Sequence, residues 1–276
     1  MIHEHVLNRK GARKSSDIPS EILDLLNRGL IESVNLIEWQ AVNHQILLKH
    51  VIPSFNLEKG KMDVLLTEMA NQNAFTGMKA IRTTSDLLTT VMVEENEAKR
   101  LEILTYCANH ISDSVRCWAA FMNKNRQQTL EEKLSFIRHF AADHHFGVRE
   151  IAWMAIREDL SEDIDKSVEL LTVWAKDDNE NIRRFAVESM RPRGVWTKHI
   201  EILKQEPHKA LPLLDLLKAD PSKYVQDSVG NWLNDASKTQ ANWVLTICEK
   251  WHKESEANAT VKIIKKATRT IMKNNC

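Results

Sequence analysis

Six times along the chain a β-branched residue is followed four places later by a small or β-branched one: Ile81/Ser85, Val115/Ala119, Val148/Ala152, Ile182/Ala186, Val225/Val229 and Ile263/Ala267. The first members lie 34, 33, 34, 43 and 38 residues apart. Residues four apart stand one above the other on a helical face, and a small one lets a neighbouring helix approach closely. A period of roughly 33 to 40 residues suits a helix–turn–helix unit that buries its face only because its neighbours are present. The pattern predicts an all-α protein, a HEAT-like α-solenoid of about six helical repeats.

Composition narrows the alternatives. The chain has 7 Gly and 6 Pro in 276 residues, where sheets with tight turns would consume more of both. It contains no Asn-Gly, no GxGxxG and no Walker-type loop, which argues against a nucleotide-binding α/β fold. Lys and Arg number 38, as do Asp and Glu, and 43% of residues are hydrophobic, which fits a globular protein. The longest apolar runs, Cys117–Met122 and Ile151–Ile156, fall far short of a membrane span. No secretory leader is visible, and Cys107, Cys117, Cys248 and Cys276 form no CxxC pair. Reduced thiols in a cytoplasmic protein are expected.

Residues 1–75 do not hold the repeat register and are expected to form an N-terminal helical cap on a continuous region over 76–276. The start, with the basic run Arg9-Lys10-Gly11-Ala12-Arg13-Lys14, should be poorly ordered or laid over the surface. Asp17 is expected to N-cap a helix with Pro19 in its first turn. A second helix, around residues 36–51, should stop near Pro53.

Helical phase separates core from surface in the repeats. Two, six and nine places after each anchor, the middle repeats present Glu150, Met154 and Arg157, then Arg184, Glu188 and Arg191, then Asp227, Asn231 and Asn234. Trp153 follows Glu150 closely enough to flank it. The long 43-residue spacing contains Arg191-Pro192-Arg193-Gly194-Val195-Trp196, where Pro192 should end a helix at about Arg191. Residues 183–276 hold 17 Lys/Arg against 10 Asp/Glu, which could steer a polyanion towards that half or simply be solvated surface.

Plainer readings stand beside these. The Arg after four of the anchors (Arg82, Arg116, Arg149, Arg183) can reach loop carboxylates of neighbouring repeats, and Asp113, Asp178 and Asp220 stand just before three anchors. Glu150, Arg184, Glu188 and Arg191 can be ordinary ion pairs. Trp39, Trp174, Trp232, Trp243 and Trp251 read as core. His139, Asp143, His144 and His145 read as exposed turn residues, since nothing completes a metal site. No metal and no cofactor is expected.

The phrases Phe146–Trp153, Ile182–Glu188, Arg191–Trp196 and Tyr224–Asp235 resemble the bacterial DNA alkylation-repair proteins of the AlkC/AlkD superfamily, the AlkC-like branch most of all. The resemblance covers roughly residues 75–272, without the extra C-terminal β-sandwich that some AlkC members carry. It implies a nucleoid-associated DNA glycosylase acting on cationic N3- or N7-alkylated purines in duplex DNA without base flipping; a monomer is expected on separate grounds, since a solenoid with two capped ends has no need to associate. It further implies Glu150 as catalytic carboxylate with Glu188 as second acid, and Trp153 and Trp196 as aromatic walls. Arg184, Arg191 and Arg193, with Arg149, Arg157 and Lys238, would hold DNA, and Asn231 and Asn234 would line the same cleft. Asn231 stands where the AlkD branch uses a tryptophan, so the aromatic box is incomplete. A non-catalytic binder of damaged or branched DNA and a protein–protein scaffold are the other uses such repeats support.

Overall fold

A computed structural model of the chain describes residues 3–122 and 128–274. Among the described residues there are 18 α-helices and no strand, the architecture of HEAT-like helical repeats. The chain divides into two compact units, residues 1–127 with 144–152 and residues 128–143 with 153–276. This division does not fall at residue 75. The cap helix Leu36–Ala41 packs on the repeat helix Gly77–Val93, so cap and first repeats share one core.

In the first unit, the segment expected to be disordered or laid on the surface is held from its first turn. Val6 is fully buried. The Arg9 guanidinium donates to both Glu38 carboxylate oxygens (3.0 and 2.7 Å) and to the Val6 carbonyl oxygen (2.7 Å). Asp17 is no helix cap; it lies in a 3-10 turn, and the following helix, Ser20–Asn27, starts after Pro19. The single helix expected around 36–51 is two, Leu36–Ala41 and His44–Val51. Asn43 divides them, because its side chain accepts the Gln45 and Ile46 N–H groups and caps the second helix.

All six anchors lie in helices, and none is more than 1% exposed. Their partners four places on are fully buried as well. In the first unit Gly77–Val93 packs on Asp113–Met122, and the Ser85 hydroxyl donates to the Trp118 carbonyl oxygen at 2.7 Å. In the second unit Glu180–Glu188 packs on Lys223–Ser237, which packs on Asn258–Ala267. There a Cβ on Gly230 would lie 2.8 Å from the Lys266 Cβ, so only glycine permits the approach. The fifth pair replaces its first long helix by Glu201–Gln205, a 3-10 turn and Leu211–Leu216, which accounts for the stretched spacing.

Three of the four arginines after the anchors share one habit. Nη1 of Arg116 donates to the carbonyl oxygens of His110 and Ile111 (2.8 and 3.1 Å), and that of Arg183 to Asp177 and Asp178 (both 2.9 Å). Arg149 reaches the His144 carbonyl oxygen at 2.8 Å. Each ties down carbonyl oxygens of the turn that precedes its own helix. The carboxylate ladder holds for Arg183, whose guanidinium clasps both oxygens of Asp220 at 2.7 and 3.1 Å. Arg116 takes Glu32 of the cap (2.5 Å), and Arg82 lies over the Phe121 ring.

His145 and Asp143 are buried, not exposed turn residues. The His145 ring accepts the Gly147 N–H at Nδ1 (3.1 Å), and its Nε2 faces the Ser33 carbonyl oxygen (2.7 Å). Cys107, Cys117 and Cys248 are buried, and Cys276 lies outside the described residues. Among the described residues no helix is long and apolar enough to cross a membrane, and no His/Cys/Asp/Glu group could hold a metal.

The close approach at the small positions is testable. Ala186 is fully buried between neighbouring helices, so Ala186→Leu should destabilise the chain by about 1–3 kcal/mol through overpacking. The urea midpoint should fall with its slope unchanged; an unmoved midpoint would contradict the packing described.

Candidate functional site

The inserted loop of the second unit is organised by one buried cation. Helix Glu180–Glu188 ends in a turn at Ser189–Met190, slightly before the expected position, and Pro192 follows. The backbone N–H of Ile200 donates to the Pro192 carbonyl oxygen at 3.0 Å and closes the loop. Arg157, 3% exposed, lies underneath. Its guanidinium donates to the carbonyl oxygens of Ser189 (2.7 Å), Arg191 (2.5 Å) and Lys198 (3.2 Å). A Cβ at Gly194 would come within 3.0 Å of that guanidinium, so glycine is what lets the loop lie flat on it. Burial, and then the nearby charge of Arg191, bring the Arg157 pKa down to about 10, which leaves it charged at neutral pH. Arg157 is therefore a staple inside the protein and does not face a phosphate, contrary to expectation.

The loop displays Trp196. All eight tryptophans lie among the described residues, and Trp196 stands out from the others at 52% exposed. Its φ of 59° is in the left-handed region. A bulky side chain there costs on the order of 1–3 kcal/mol and persists only where the surroundings enforce it. Trp153, expected as a second aromatic wall, is 1% exposed, and the Arg157 guanidinium lies 5.8 Å from its ring centre. It belongs to the core, because the helix turns that side inward.

Beside the loop, helices Glu180–Glu188 and Lys223–Ser237 bring opposite charges together out of water. Glu188 is 5% and Asp235 3% exposed. Arg191 donates to Glu188 Oε1 at 2.7 Å and, through Nε and Nη2, to Asp235 Oδ2 at 2.9 and 2.7 Å. The other Glu188 oxygen accepts the Ser228 hydroxyl (2.5 Å) and lies 3.5 Å from Arg184, which stacks over the Tyr224 ring. Lys238 reaches Asp235 at 3.1 Å, and Arg193 Nε donates to the Asp235 carbonyl oxygen at 3.2 Å. Burial alone would raise the Glu188 pKa; the charges of Arg184 and Arg191 and the bonds from Ser228 and Arg191 outweigh it, and the carboxyl lies below its ordinary value. Burial likewise opposes the charge of Arg191, and the two carboxylates more than restore it.

The expected residues thus separate. Glu188, Arg184, Arg191, Arg193 and Lys238 do come together, as one ion network rather than a row of open phosphate ligands. Asn234 is 2% exposed, its Oδ1 accepting the Thr270 N–H and hydroxyl (3.2 and 2.9 Å), so it anchors the last helix and lines no cleft. Asn231 is half-buried on the same helix. Glu150 and Arg149 are half-buried in the first unit, at the start of helix Phe146–Glu162. Asp235 and Ser228 were missed. Asp235 closes the Tyr224–Asp235 phrase, and that was its only signal; nothing in the spacing marked Ser228.

The network makes an acid prediction. Glu188 has a folded pKa below its unfolded value of about 4.3, so its contribution is complete above that value and disappears as pH falls through the folded pKa. Glu188→Gln, which leaves buried guanidinium charge short of a partner, should cost about 3–5 kcal/mol at pH 7 in urea denaturation. The gap to wild type should narrow at about pH 3. An equal gap at both pH values would contradict a depressed carboxyl.

A family model described as DNA alkylation repair enzyme matches residues 69–268. YhaZ of Bacillus subtilis (strain 168), itself uncharacterized, is 40% identical over 119 residues, 43% of this chain and 33% of that protein. The alkylpurine DNA glycosylase AlkC of Pseudomonas fluorescens, solved bound to DNA containing an abasic site analog, matches with a TM-score of 0.67 at 26% identity over 83% of this chain and 61% of that one. The chain thus spans less than two thirds of either relative. AlkD2 of Streptococcus mutans shares the fold, with a TM-score of 0.58 at 23% identity over 76% of this chain and 98% of that one. With the stretch from the first repeat helices to the last matched, and the Trp196 loop and ion network inside it, the chain belongs to the DNA alkylation repair enzyme family.

Proposed function

We propose that the protein is a DNA glycosylase that hydrolyses the N-glycosidic bond of cationic N3- or N7-alkylated purines in duplex DNA, without extruding the base. The observation that carries this reading is the family match over residues 69–268, which contains Glu150 and the Trp196 loop. The likeness to a DNA-bound alkylpurine glycosylase supports it.

The chemistry asks little of the protein. An alkylated purine already carries positive charge and leaves as a neutral base, taking the bonding electron pair, so no general acid is needed. Positive charge develops at C1′ of the deoxyribose. A carboxylate stabilises it and orients the water that adds there, and an aromatic face adds a further attraction. Glu150, half-buried at a helix start, is the carboxylate of this proposal. Glu188 is set aside, since both its oxygens are held by Arg191, Ser228 and Arg184. Trp196, in the second unit, is the aromatic group of this proposal, because it stands exposed on a backbone that the Arg157 staple holds before any ligand arrives.

The test is release of 3-methyladenine and 7-methylguanine from methylated duplex DNA. Wild type should release base, Glu150→Ala and Glu150→Gln should lose at least about a hundredfold in rate, the scale of one lost electrostatic stabiliser, and Trp196→Ala about tenfold, as one cation–π contact is removed. No release by wild type would overturn the glycosylase reading. DNA binding that persists without it would favour a non-catalytic binder.

A further inference from the structure

The arginines that the sequence offered for gripping DNA are largely engaged inside the protein: Arg157 by three carbonyls, Arg184 by Glu188 and the Tyr224 ring, Arg191 by Glu188 and Asp235. The end of the second unit is different. Residues 257–274 hold five cations, Lys262, Lys265, Lys266, Arg269 and Lys273, and no Asp or Glu. Lys266 has a carboxylate partner, Asp227, at 2.5 Å. Lys262, Lys265, Arg269 and Lys273 are exposed and make no ion pair or hydrogen bond among the described residues.

These four share one face. Helices Asn258–Ala267 and Arg269–Asn274 run on through Thr268, whose N–H donates to Ile264 (3.0 Å) and whose carbonyl accepts from Met272 (2.9 Å). At 100° per residue they fall within an arc of about 80° and span about 16 Å, while Ile263, Ala267 and Ile271 are buried. The negative end of this continuous helix favours cations in the last turn, which accounts for Lys273 but not for Lys262 and Lys265 nearer the middle. Like charges three and four places apart otherwise cost a helix stability. Such an array calls for an external polyanion, and its length suits several consecutive backbone phosphates rather than one anion. The helix is also tied to the candidate site: Gly230 lets it pack closely on Lys223–Ser237, and Asn234, next to Asp235, holds Thr270.

We infer that Lys262, Lys265, Arg269 and Lys273 form a phosphate-binding stripe that holds the backbone of the DNA duplex. This rests on the proposed function, and supplies the sequence-independent grip that the buried arginines do not.

The experiment follows duplex binding by fluorescence anisotropy across salt concentrations. It compares the full chain with a variant carrying Lys262→Gln, Lys265→Gln, Arg269→Gln and Lys273→Gln. A charge-matched control carries Lys49→Gln, Lys59→Gln, Lys79→Gln and Arg100→Gln, and thermal melting checks each fold. The stripe variant should lose more than about tenfold in affinity at low salt, and its slope of log K against log salt should fall by about 3 to 4, near 0.9 per lost phosphate contact. The control should keep the wild-type slope. If the quadruple variant does not fold, the pairs Lys262/Arg269 and Lys265/Lys273 should each lose about half of that slope. A wild type that binds duplex, with a stripe variant of unchanged slope or a control that loses as much, overturns the stripe alone. A wild type that ignores duplex but binds anionic phospholipid vesicles through these residues overturns both the stripe as a DNA contact and the proposed function.

Discussion

A charge taken out of water has to find its counter-charge or its hydrogen bonds at the place where it is buried, and the second unit is organised around that demand. Arg157 satisfies it with the carbonyl oxygens of Ser189, Arg191 and Lys198, and in doing so it shapes the loop between them. Arg191, whose carbonyl Arg157 holds, turns its own guanidinium to Glu188 and Asp235. One buried cation therefore positions the backbone of the next, and the pair fixes both ends of the insertion. Trp196 is displayed in a backbone conformation it would not choose alone because the loop around it has nowhere else to go.

The repeats use a similar economy of parts. At Arg116, Arg149 and Arg183 the arginine after the anchor ties down carbonyls of the turn before its own helix, and at Arg82, Arg116 and Arg183 it takes the anion or ring that its neighbour supplies. For Arg183 that is Asp220 of the next repeat, for Arg116 it is Glu32 of the cap, and for Arg82 it is the ring of Phe121. The same residue at the same register thus joins repeat to repeat in one place and repeat to cap in another. Together with the Arg9–Glu38 pair, this explains why the amino-terminal segment shares the first unit's core instead of forming a separate body.

Much of the fold was legible in the amino-acid sequence. The anchors and their small partners are core residues in all six repeats, and Trp39, Trp232 and Trp251 are buried as expected. The candidate site was legible only as a neighbourhood. Glu188, Arg184, Arg191 and Arg193 do meet, but spacing along one helix could not say that Asp235 and Ser228 wait on the facing helix to neutralise them. Trp153, Asn234 and Arg157 misled for a related reason. A position two, five or nine places from an anchor lies on the rim of the buried stripe, and whether it opens to solvent depends on how closely the neighbouring segment covers it. For Arg157 the covering segment is the loop itself, brought down by Gly194.

By itself, the sequence determined what repeats: helix period, buried small residues and turn positions are set by local spacing, which survives whatever lies next door. Only the tertiary structure decided which charges remain available to a partner. Pairing depends on distance between residues some forty positions apart, as for Arg191 and Asp235 at 2.7 Å, and no spacing within one helix encodes it. That is why the arginines beside the inserted loop proved to be internal, while four cations on the last helix, which the sequence left open as either a polyanion face or solvated surface, face solvent with no ion pair among the described residues.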